Sequence, residues 1–449
     1  MSNHTSPIRQ AARTQSTGST ASMRVAAMPS QRHALPLIVA VLFTIPLSYR
    51  PAAAVILYRS TSTSGWTTVV NARDAFPPSS AFATGRAGAV SAPSLASTTA
   101  CGGASLVAFW ANVSSSPIAS TRGVFLWDAS SGTLHDVAIG SSSLPPKVVI
   151  DSSACVVHVI HAPTTTDLAD TTFSLPGLSP GSVSTLVDTT TPAPGPFPVG
   201  AVFGVHGPFD AVYAAPTGVV VTFASRVTDG GVTSLNDSGV FSWSTGGTLT
   251  THAREGDPTC APTWPGAGAT YADLYSTHRL GAAVVGGPAA AFAARSNGGV
   301  SNSAIVLNAG GCGGSTVIVA ARGAATPAGG VYADLMSSVV ELATSATGET
   351  VFVAPITGSP MFAVFTSSGD VVVRHRMADT ALGASLAYLS GQHVNPAINS
   401  GGDVVFSARV IGISVSLLFD TPAILPELLA QRGQYARIDD LGNVVALFK

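Results

Sequence analysis

A short strand–turn–strand unit recurs along this chain and limits what the chain can fold into. The clearest copy is HVNPAINSGGDVVF at residues 393–406, in which the polar turn Asn-Ser-Gly-Gly separates two more apolar stretches. Degenerate copies lie upstream, at residues 102–110, 216–226, 286–295 and 344–353. A unit repeated at a period of tens of residues indicates a β-propeller or a solenoid.

A second hairpin follows the opening strand pair, so that one repeat contains four strands. Residues 124–139, 240–254 and 361–376 each place a Ser-Gly or Gly-Gly turn between two apolar stretches. Four strands in series are the blade of a β-propeller. The composition agrees, because charged residues are only 10% of the chain and Gly (46) and Pro (30) are frequent. We therefore predict an all-β protein with four-stranded antiparallel blades.

The two ends of the predicted propeller complement each other. Residues 435–448 (YARIDDLGNVVALF) look like the opening strand pair of a repeat, and residues 55–73 look like a closing pair. Joined, they would make one blade from both termini and leave no sheet edge exposed. A linear solenoid would instead need polar end caps. The sequence therefore predicts a closed ring over residues 55–449 as a single domain.

The number of blades follows from the repeat endings. Seven endings can be recognised, at Arg73, Ile139, Asp188, Arg254, Arg322, Arg376 and Arg432. Their spacing is uneven, so we predict seven blades and keep six and eight as alternatives.

Residues 1–54 have the features of a secretory signal peptide with a long basic region. Residues 1–33 contain four arginines and no acid, residues 34–47 are an apolar run of 14, and three alanines follow Pro51. The apolar run is short for a membrane span. A transit peptide is the lesser alternative. We expect a secreted protein in the extracellular space, on the cell surface or in the periplasm, with no transmembrane segment in its mature form.

Removal of this segment would leave a mildly acidic protein. It takes five arginines from the 21 basic residues and nothing from the 23 acids, which leaves a net charge of −7. Only Lys147 and Lys449 are lysines. Without a clustered basic face we expect no nucleic-acid partner. We expect a monomer whose partner, a protein or a glycan, binds one face of the ring.

Four cysteines remain, and an even number in an exported protein favours disulfides. Cys101 and Cys155 are 54 residues apart, and Cys260 and Cys312 are 52 apart. Both separations are close to one repeat, so each pair could link neighbouring repeats. All three connectivities stay open at this stage, and four unpaired buried thiols are the alternative.

Two sets of recurring arginines are the candidate binding residues. Arg226, Arg295 and Arg409 follow the Phe of a second strand, whereas Arg254 and Arg322 end a fourth strand. In a ring each set would return to one face, where it could bind anionic groups. The alternative is a structural role, in which each arginine pairs with an acid of a following loop, such as Asp273, Asp334 or Asp379.

Catalytic, metal and cofactor motifs are not recognisable. Residues 177–181 match G-x-S-x-G, but Pro180 lacks the N–H that would bind the oxyanion in a nucleophile elbow. His158 and His161 lie three apart on a predicted strand and so point to opposite faces. We expect no metal and no cofactor.

With the repeats aligned, the chain resembles a known family. The pattern N-x-x-G-x-x-x-F (Asn399, Gly402, Phe406) and the ending A-R-E-G-D-P at residues 253–258 are similar to the tandem NxxGxxxF-repeat proteins that bacteria export. Only one copy keeps the full Asn-Gly-Phe set. The resemblance implies an exported, propeller-like protein and carries no catalytic residues.

Two functions fit these observations. The first is a non-enzymatic binding or surface-interaction module that uses one face of the ring, because a propeller holds its loops on a rigid scaffold. The alternative is a glycan-active hydrolase or lyase, with acidic residues from different blades gathered at the channel mouth.

Overall fold

The structure, a computed structural model, describes most of the predicted propeller region. It covers residues 54–448 except for 63–64, 79, 83–85, 116–117, 141–143, 258–269, 276–279, 298–301, 338–339, 359–360, 377–393, 410–414, 422–423 and 432. Every regular element in these residues is a β-strand. The predicted signal peptide lies almost wholly outside the described residues.

Thirty-one strands follow one another along the described chain. The first half contains β1 (Val55–Arg59), β2 (Thr67–Asn71), β3 (Arg86–Val90), β4 (Ser94–Ser97), β5 (Ser105–Ser115), β6 (Ile118–Asp128), β7 (Thr133–Ile139), β8 (Lys147–Asp151), β9 (Val156–His161), β10 (Leu168–Ser174), β11 (Ser179–Val187), β12 (Ala201–Ala214), β13 (Gly218–Asp229), β14 (Ser238–Ser244) and β15 (Thr248–Arg254). The second half contains β16 (Thr270–Tyr271), β17 (Leu280–Val284), β18 (Pro288–Asn297), β19 (Ser303–Ala309), β20 (Ser315–Ala321), β21 (Val331–Tyr332), β22 (Glu341–Thr344), β23 (Thr350–Thr357), β24 (Phe362–Thr366), β25 (Val371–Arg374), β26 (Ala397–Ile398), β27 (Val404–Arg409), β28 (Val415–Thr421), β29 (Ile424–Gln431), β30 (Gly433–Ile438) and β31 (Val444–Phe448).

These strands form antiparallel sheets with four positions in series, as predicted. Six sheets use strands that are consecutive in the chain, numbered here as sheet 1 (β3 and β4, β5, β6, β7), sheet 2 (β8 to β11), sheet 3 (β12 to β15), sheet 4 (β16 and β17, β18, β19, β20), sheet 5 (β21 and β22, β23, β24, β25) and sheet 6 (β26 to β29). Sheets 1, 4 and 5 contain five strands, because two short strands pair one after the other with the same second strand. A further sheet, the terminal sheet, has the order β30-β31-β1-β2. The all-β class and the four-stranded antiparallel blade of a propeller are confirmed.

The terminal sheet confirms that both ends of the predicted domain share one blade. β1 pairs with β31 along its whole length, from Val55 opposite Phe448 to Arg59 opposite Val444. The innermost strands of neighbouring sheets are in contact in the order β4, β8, β12, β17, β22, β26 and β30, and β30 contacts β4. The ring is therefore closed by hydrogen bonds between the two ends of the domain.

Phenylalanines of the second strands form the centre of the packing. Phe109, Phe223, Phe292, Phe352 and Phe406 are at most 1% exposed. In three sheets this ring stacks on the phenylalanine directly opposite on the third strand, with centroid distances of 5.7, 5.6 and 5.5 Å for Phe109–Phe125, Phe223–Phe241 and Phe352–Phe365. Such pairs stabilise a sheet beyond the area they bury. The Phe of the repeat motif is thus a core residue between adjacent sheets.

Removal of residues 55–73 should abolish cooperative folding, because it takes away the two outer strands of the terminal sheet and opens the ring. The matched control is a circular permutant that joins Phe448 to Val55 by a short linker and opens the turn between β14 and β15. Because these ends are already paired, the permutant should unfold at the temperature of the natural chain. Thermal unfolding followed by circular dichroism checks both, and a truncated chain that keeps the natural melting temperature would contradict the closure.

Three buried histidines lie between or within the sheets. His161, His206 and His252 are at most 3% exposed, and burial lowers the pKa of each to about 4. His252 is held by Asn308 and Ser242, at 2.7 and 2.8 Å. His206 lies against the rings of Phe203 and Phe223.

These histidines should make the fold sensitive to acid. The unfolded chain takes up a proton near pH 6.5, whereas the folded chain resists it until about pH 4, so stability is complete above pH 6.5 and falls as the pH drops from 6.5 to 4. The His206→Phe variant should lose about 3 kcal/mol less than the natural chain over this range. Urea unfolding at pH 7.5, 5.5 and 4.5 checks this, and parallel curves for the two proteins would refute it.

Candidate functional site

The candidate site is a cavity at the centre of the ring. It has a volume of about 300 Å³ and is lined by the innermost strands and by the turns that follow them. Polar side chains from several sheets reach it, among them Ser94, Lys147, Asp210, Thr344, Asn399 and Arg437. The ring closure creates this cavity, since no single sheet contributes more than one strand to its wall.

A partly buried ion pair crosses the wall of the cavity. Lys147, the first residue of β8, places its Nζ 2.8 Å from Oδ1 of Asp210 in the neighbouring strand β12. The two side chains are only 17% and 22% exposed. The amide of Ala282, on the next innermost strand, donates to Oδ2 of the same carboxylate at 3.4 Å. Asp210 therefore holds three adjacent sheets together at the cavity.

Arg437 brings a second positive charge to the same cavity from β30. Nη1 of Arg437 donates a hydrogen bond to the carbonyl of the preceding residue, Ala436, at 2.7 Å. Burial lowers the pKa of the guanidinium, while Asp210 and Glu341 raise it. Burial also lowers the pKa of Lys147, against the effect of Asp210, and Arg437 lowers it further. Two cations and two carboxylates thus influence one another across the channel.

One mouth of the cavity is built by the turns of the repeat motif. Oδ1 of Asn399 accepts hydrogen bonds from the amides of Gly401 and Asp403, at 3.0 and 2.9 Å, and so shapes its own turn. Its Nδ2 donates to the carbonyl of Asp439 in the next sheet at 3.2 Å. Gly402 has a φ of 86°, a conformation that favours glycine. The Asn and Gly of the motif therefore shape the turn and link neighbouring sheets.

The acids that line this mouth are engaged in the same turns. Oδ1 of Asp439 accepts from the amides of Leu441 and Asn443, at 3.0 and 2.9 Å, and burial raises the pKa of this carboxyl. Oδ1 of Asp440 accepts from the amide of Ser400 at 2.8 Å. Asn443 extends the network to Ser105 of sheet 1, at 3.4 Å. These carboxylates stabilise the mouth of the channel and the contacts between its sheets.

The predicted arginines that follow a second strand pair with acids. Arg226 contacts Oδ2 of Asp237 at 2.7 Å and lies over the ring of Tyr275, 4.9 Å from its centroid. Arg295 contacts Asp334, which lies between β21 and β22 of the next sheet, at 3.2 Å. The second contact matches the structural alternative considered for these residues. The side chain of Arg409 lies outside the described residues, as does Asp379.

The predicted arginines at the ends of fourth strands also have local partners. Nη1 of Arg254 donates to the carbonyl of Pro196 at 2.8 Å, and its guanidinium lies 4.8 Å from the centroid of Phe197. Arg322 donates to Asn302 at 2.7 Å. None of these four arginines lines the central cavity. A binding role for them stays a prediction.

The disulfide Cys101–Cys155 is confirmed. Its Cα atoms are 5.5 Å apart, and the two residues lie in the turns that follow β4 and β8, so the bond links sheets 1 and 2. The second predicted pair includes Cys260, which lies outside the described residues.

Sequence reasoning missed the group formed by Lys147, Asp210 and Arg437. These residues come from separate repeats and share no motif. One signal was present in the sequence: the chain has two lysines, and one of them, Lys147, lies within the domain away from its ends. Only the ring geometry brings the three side chains to one cavity.

The described residues contain no group of three or more His, Cys, Asp or Glu placed to hold a metal ion. They also contain no helical segment with the length and apolar character that a bilayer span requires.

Known proteins resemble this chain in structure but not in sequence. No protein-family model and no curated protein sequence matches the chain. Among solved structures, the β-propeller domain of the Trilobed protease from Pyrococcus furiosus is similar over 78% of this chain and 88% of its own, with 8% identity and a TM-score of 0.41. The fucose-specific lectin from Aleuria aurantia covers 78% of this chain and 95% of its own, at 10% identity and a TM-score of 0.39.

A third likeness is to the acylaminoacyl peptidase from Pyrococcus horikoshii, with 10% identity and a TM-score of 0.39. It covers 74% of this chain, and the chain spans about half the length of that enzyme (46%). These likenesses are too weak to bear on function.

Removing only one partner of the Lys147–Asp210 ion pair should destabilise the protein. Asp210→Asn leaves the Lys147 ammonium buried without its counter-charge and should lower the free energy of unfolding by about 3 kcal/mol. Adding Lys147→Met should restore at least half of that loss, since no buried charge is then left unpaired. Denaturant unfolding at pH 7 checks both variants.

The matched control is Asp237→Asn, which breaks the more exposed pair with Arg226 and should cost less than about 1 kcal/mol. Equal losses for Asp210→Asn and Asp237→Asn would mean that the cavity does not keep water from the charges.

Proposed function

We propose that the protein is a non-enzymatic binding module that takes a small carboxylate-bearing ligand, such as a sugar acid, into its central cavity. The observation that carries this proposal is the presence of Lys147 and Arg437 in one cavity of a chain with few charges. Buried charges are costly to retain without a use, because desolvation opposes them. Arginine is suited to the task, since its planar guanidinium binds carboxylates with two parallel hydrogen bonds.

The surroundings of the two cations support a ligand with hydroxyl groups as well as a carboxylate. Serine and threonine side chains and the Asn399 turn also line the cavity, together with apolar residues of the innermost strands. Asp210 is already bound to Lys147, which leaves the Arg437 donors as the groups that would bind an incoming carboxylate. The volume of about 300 Å³ suits a ligand of monosaccharide size.

The cavity favours binding over glycan hydrolysis or lysis, the alternative function. Hydrolysis of a glycoside needs an acid and a second carboxylate at its disposal. The acids that line this cavity hold Lys147 or the turns at the mouth. We therefore place the hydrolase or lyase second.

The proposal extends to the complete ring and its location. We propose a seven-bladed propeller, with sheets 1 to 6 and the terminal sheet as its blades; counting the blades in an experimental density map would test this. We also propose that the protein is an exported member of the NxxGxxxF-repeat group. The Cys101–Cys155 disulfide is compatible with an oxidising compartment.

Binding of glucuronate and glucose to the purified protein tests the proposed function. Glucuronate should raise the melting temperature with increasing concentration and give a measurable heat of binding, whereas glucose should have little effect. Arg437→Gln should weaken glucuronate binding about tenfold or more, because a charge-assisted contact is lost. Arg226→Gln, outside the cavity, is the matched control and should bind as the natural protein does.

Two results would overturn the proposal. One is that neither glucuronate nor any other small carboxylate shifts the melting temperature. The other is that the protein releases sugars from a polysaccharide and that an acid of the channel mouth is needed for this, which would make it an enzyme.

A further inference from the structure

Lys147 is the one lysine among the residues that the structure describes, and its side chain lines the central cavity. It is one of two lysines, and the other is the terminal residue Lys449. Its amine faces a cavity large enough for a small metabolite and touches a carboxylate at 2.8 Å. Arginine would provide the same ion pair with Asp210 and keeps its charge under all conditions, so a lysine here is notable for its chemistry as an amine.

A lysine that is to react with a carbonyl group must first lose a proton. Asp210 is in hydrogen-bonding contact with the Nζ atom and so can accept that proton. Burial, and to a smaller extent the nearby Arg437, lower the pKa of Lys147 and favour the neutral amine, whereas the charge of Asp210 acts in the opposite direction. These are the surroundings in which lysines become nucleophiles, namely a desolvated pocket beside another cation.

Arg437 adds a requirement for the ligand. It lines the same cavity and is close enough to influence Lys147 electrostatically. A ligand that uses both residues carries a carboxylate for the guanidinium and a carbonyl carbon for the amine. The smallest molecules that combine these groups on adjacent carbons are 2-oxo carboxylates.

We propose that Lys147 binds 2-oxo carboxylates covalently, as a reversible imine in the central cavity. This inference rests on the proposed function, because it requires that the cavity admits a small carboxylate. It narrows the ligand from carboxylates in general to those with a ketone or aldehyde next to the acid.

The reaction is balanced by groups already present. Asp210 takes one proton from the Lys147 ammonium, and the free electron pair of the nitrogen attacks the carbonyl carbon. A proton of the same nitrogen passes to the former carbonyl oxygen, which gives a carbinolamine. The proton held by Asp210 then goes to the carbinolamine hydroxyl, which leaves as water while the C=N bond forms. The product is a protonated imine whose positive charge stays beside Asp210. Water reverses each step, and no oxidant or reductant is needed.

Reductive trapping tests the proposal. The purified protein is incubated with pyruvate and sodium cyanoborohydride at pH 7, and the labelled residue is identified by peptide mass mapping. Lys147 should be labelled at a pyruvate concentration at least tenfold lower than Lys449, which serves as the internal reference. Labelling that is absent from Lys147, or equal at the two lysines, would overturn the proposal.

Two variants separate covalent capture from plain reactivity. Lys147→Arg keeps a cation beside Asp210, so it should fold normally and lose the adduct. Arg437→Gln should lower labelling by pyruvate about tenfold more than labelling by acetone, which has no carboxylate and reports only the change in reactivity of the amine. Equal losses with both carbonyl compounds would mean that Arg437 does not select the carboxylate, and would refute that part of the inference.

Lactate distinguishes the failure of this inference from the failure of the proposed function. It carries the same carboxylate as pyruvate but has no carbonyl carbon to attack. Lactate that stabilises the protein while pyruvate leaves no adduct at Lys147 would refute the imine and keep the carboxylate site. If lactate and glucuronate both fail to bind, the cavity is not the ligand site and both proposals fall.

Discussion

The fold depends on the pairing of five residues at the start of the domain with five at its end. β1 lies beside β31 from Val55 to Arg59, and this ladder joins the first two strands to the last two. A propeller sheet has apolar residues on both faces and needs a neighbour on each side. If the ladder opened, the sheets on either side would expose core residues such as Ile56 and Val445, which are fully buried in the closed ring. The packing of every sheet therefore depends on the pairing of β1 with β31, which joins the two ends of the domain.

Polar side chains at the inner turns support this closure. Asn399, Asp439 and Asn443 connect sheet 6, the terminal sheet and sheet 1 by hydrogen bonds in which most members are buried. Buried polar groups cost little when all their bonds are made, and they then fix one arrangement of neighbours. This network and the Cys101–Cys155 bond both lie among the turns that follow innermost strands. The side of the ring with the repeat-motif turns is thus held by directional bonds, and the apolar core supplies the remaining cohesion.

The central cavity differs from these turns, because it contains charged side chains at positions where apolar side chains would be more stable. Lys147 and Asp210 pair between adjacent strands, and Arg437 approaches them from across the channel. Desolvation shifts the pKa of both cations towards the neutral form. The arginines at the strand ends differ, since Arg226 and Arg295 pair with acids at more exposed positions. These recurring arginines therefore make local ion pairs. The charged residues at the cavity, Lys147, Asp210 and Arg437, belong to no recurring motif.

The sequence by itself determined the four-stranded repeat and the sharing of one blade by the two ends, and it left a disulfide between cysteines about one repeat apart among the open pairings. Each depends on local pattern: alternating apolar residues with turns, a half-repeat at each end, and the spacing of Cys101 and Cys155. The tertiary structure alone decided which side chains meet at the centre. Lys147, Asp210 and Arg437 belong to different repeats, and their neighbourhood is set by the curvature of the ring and by strand register, which no local pattern encodes.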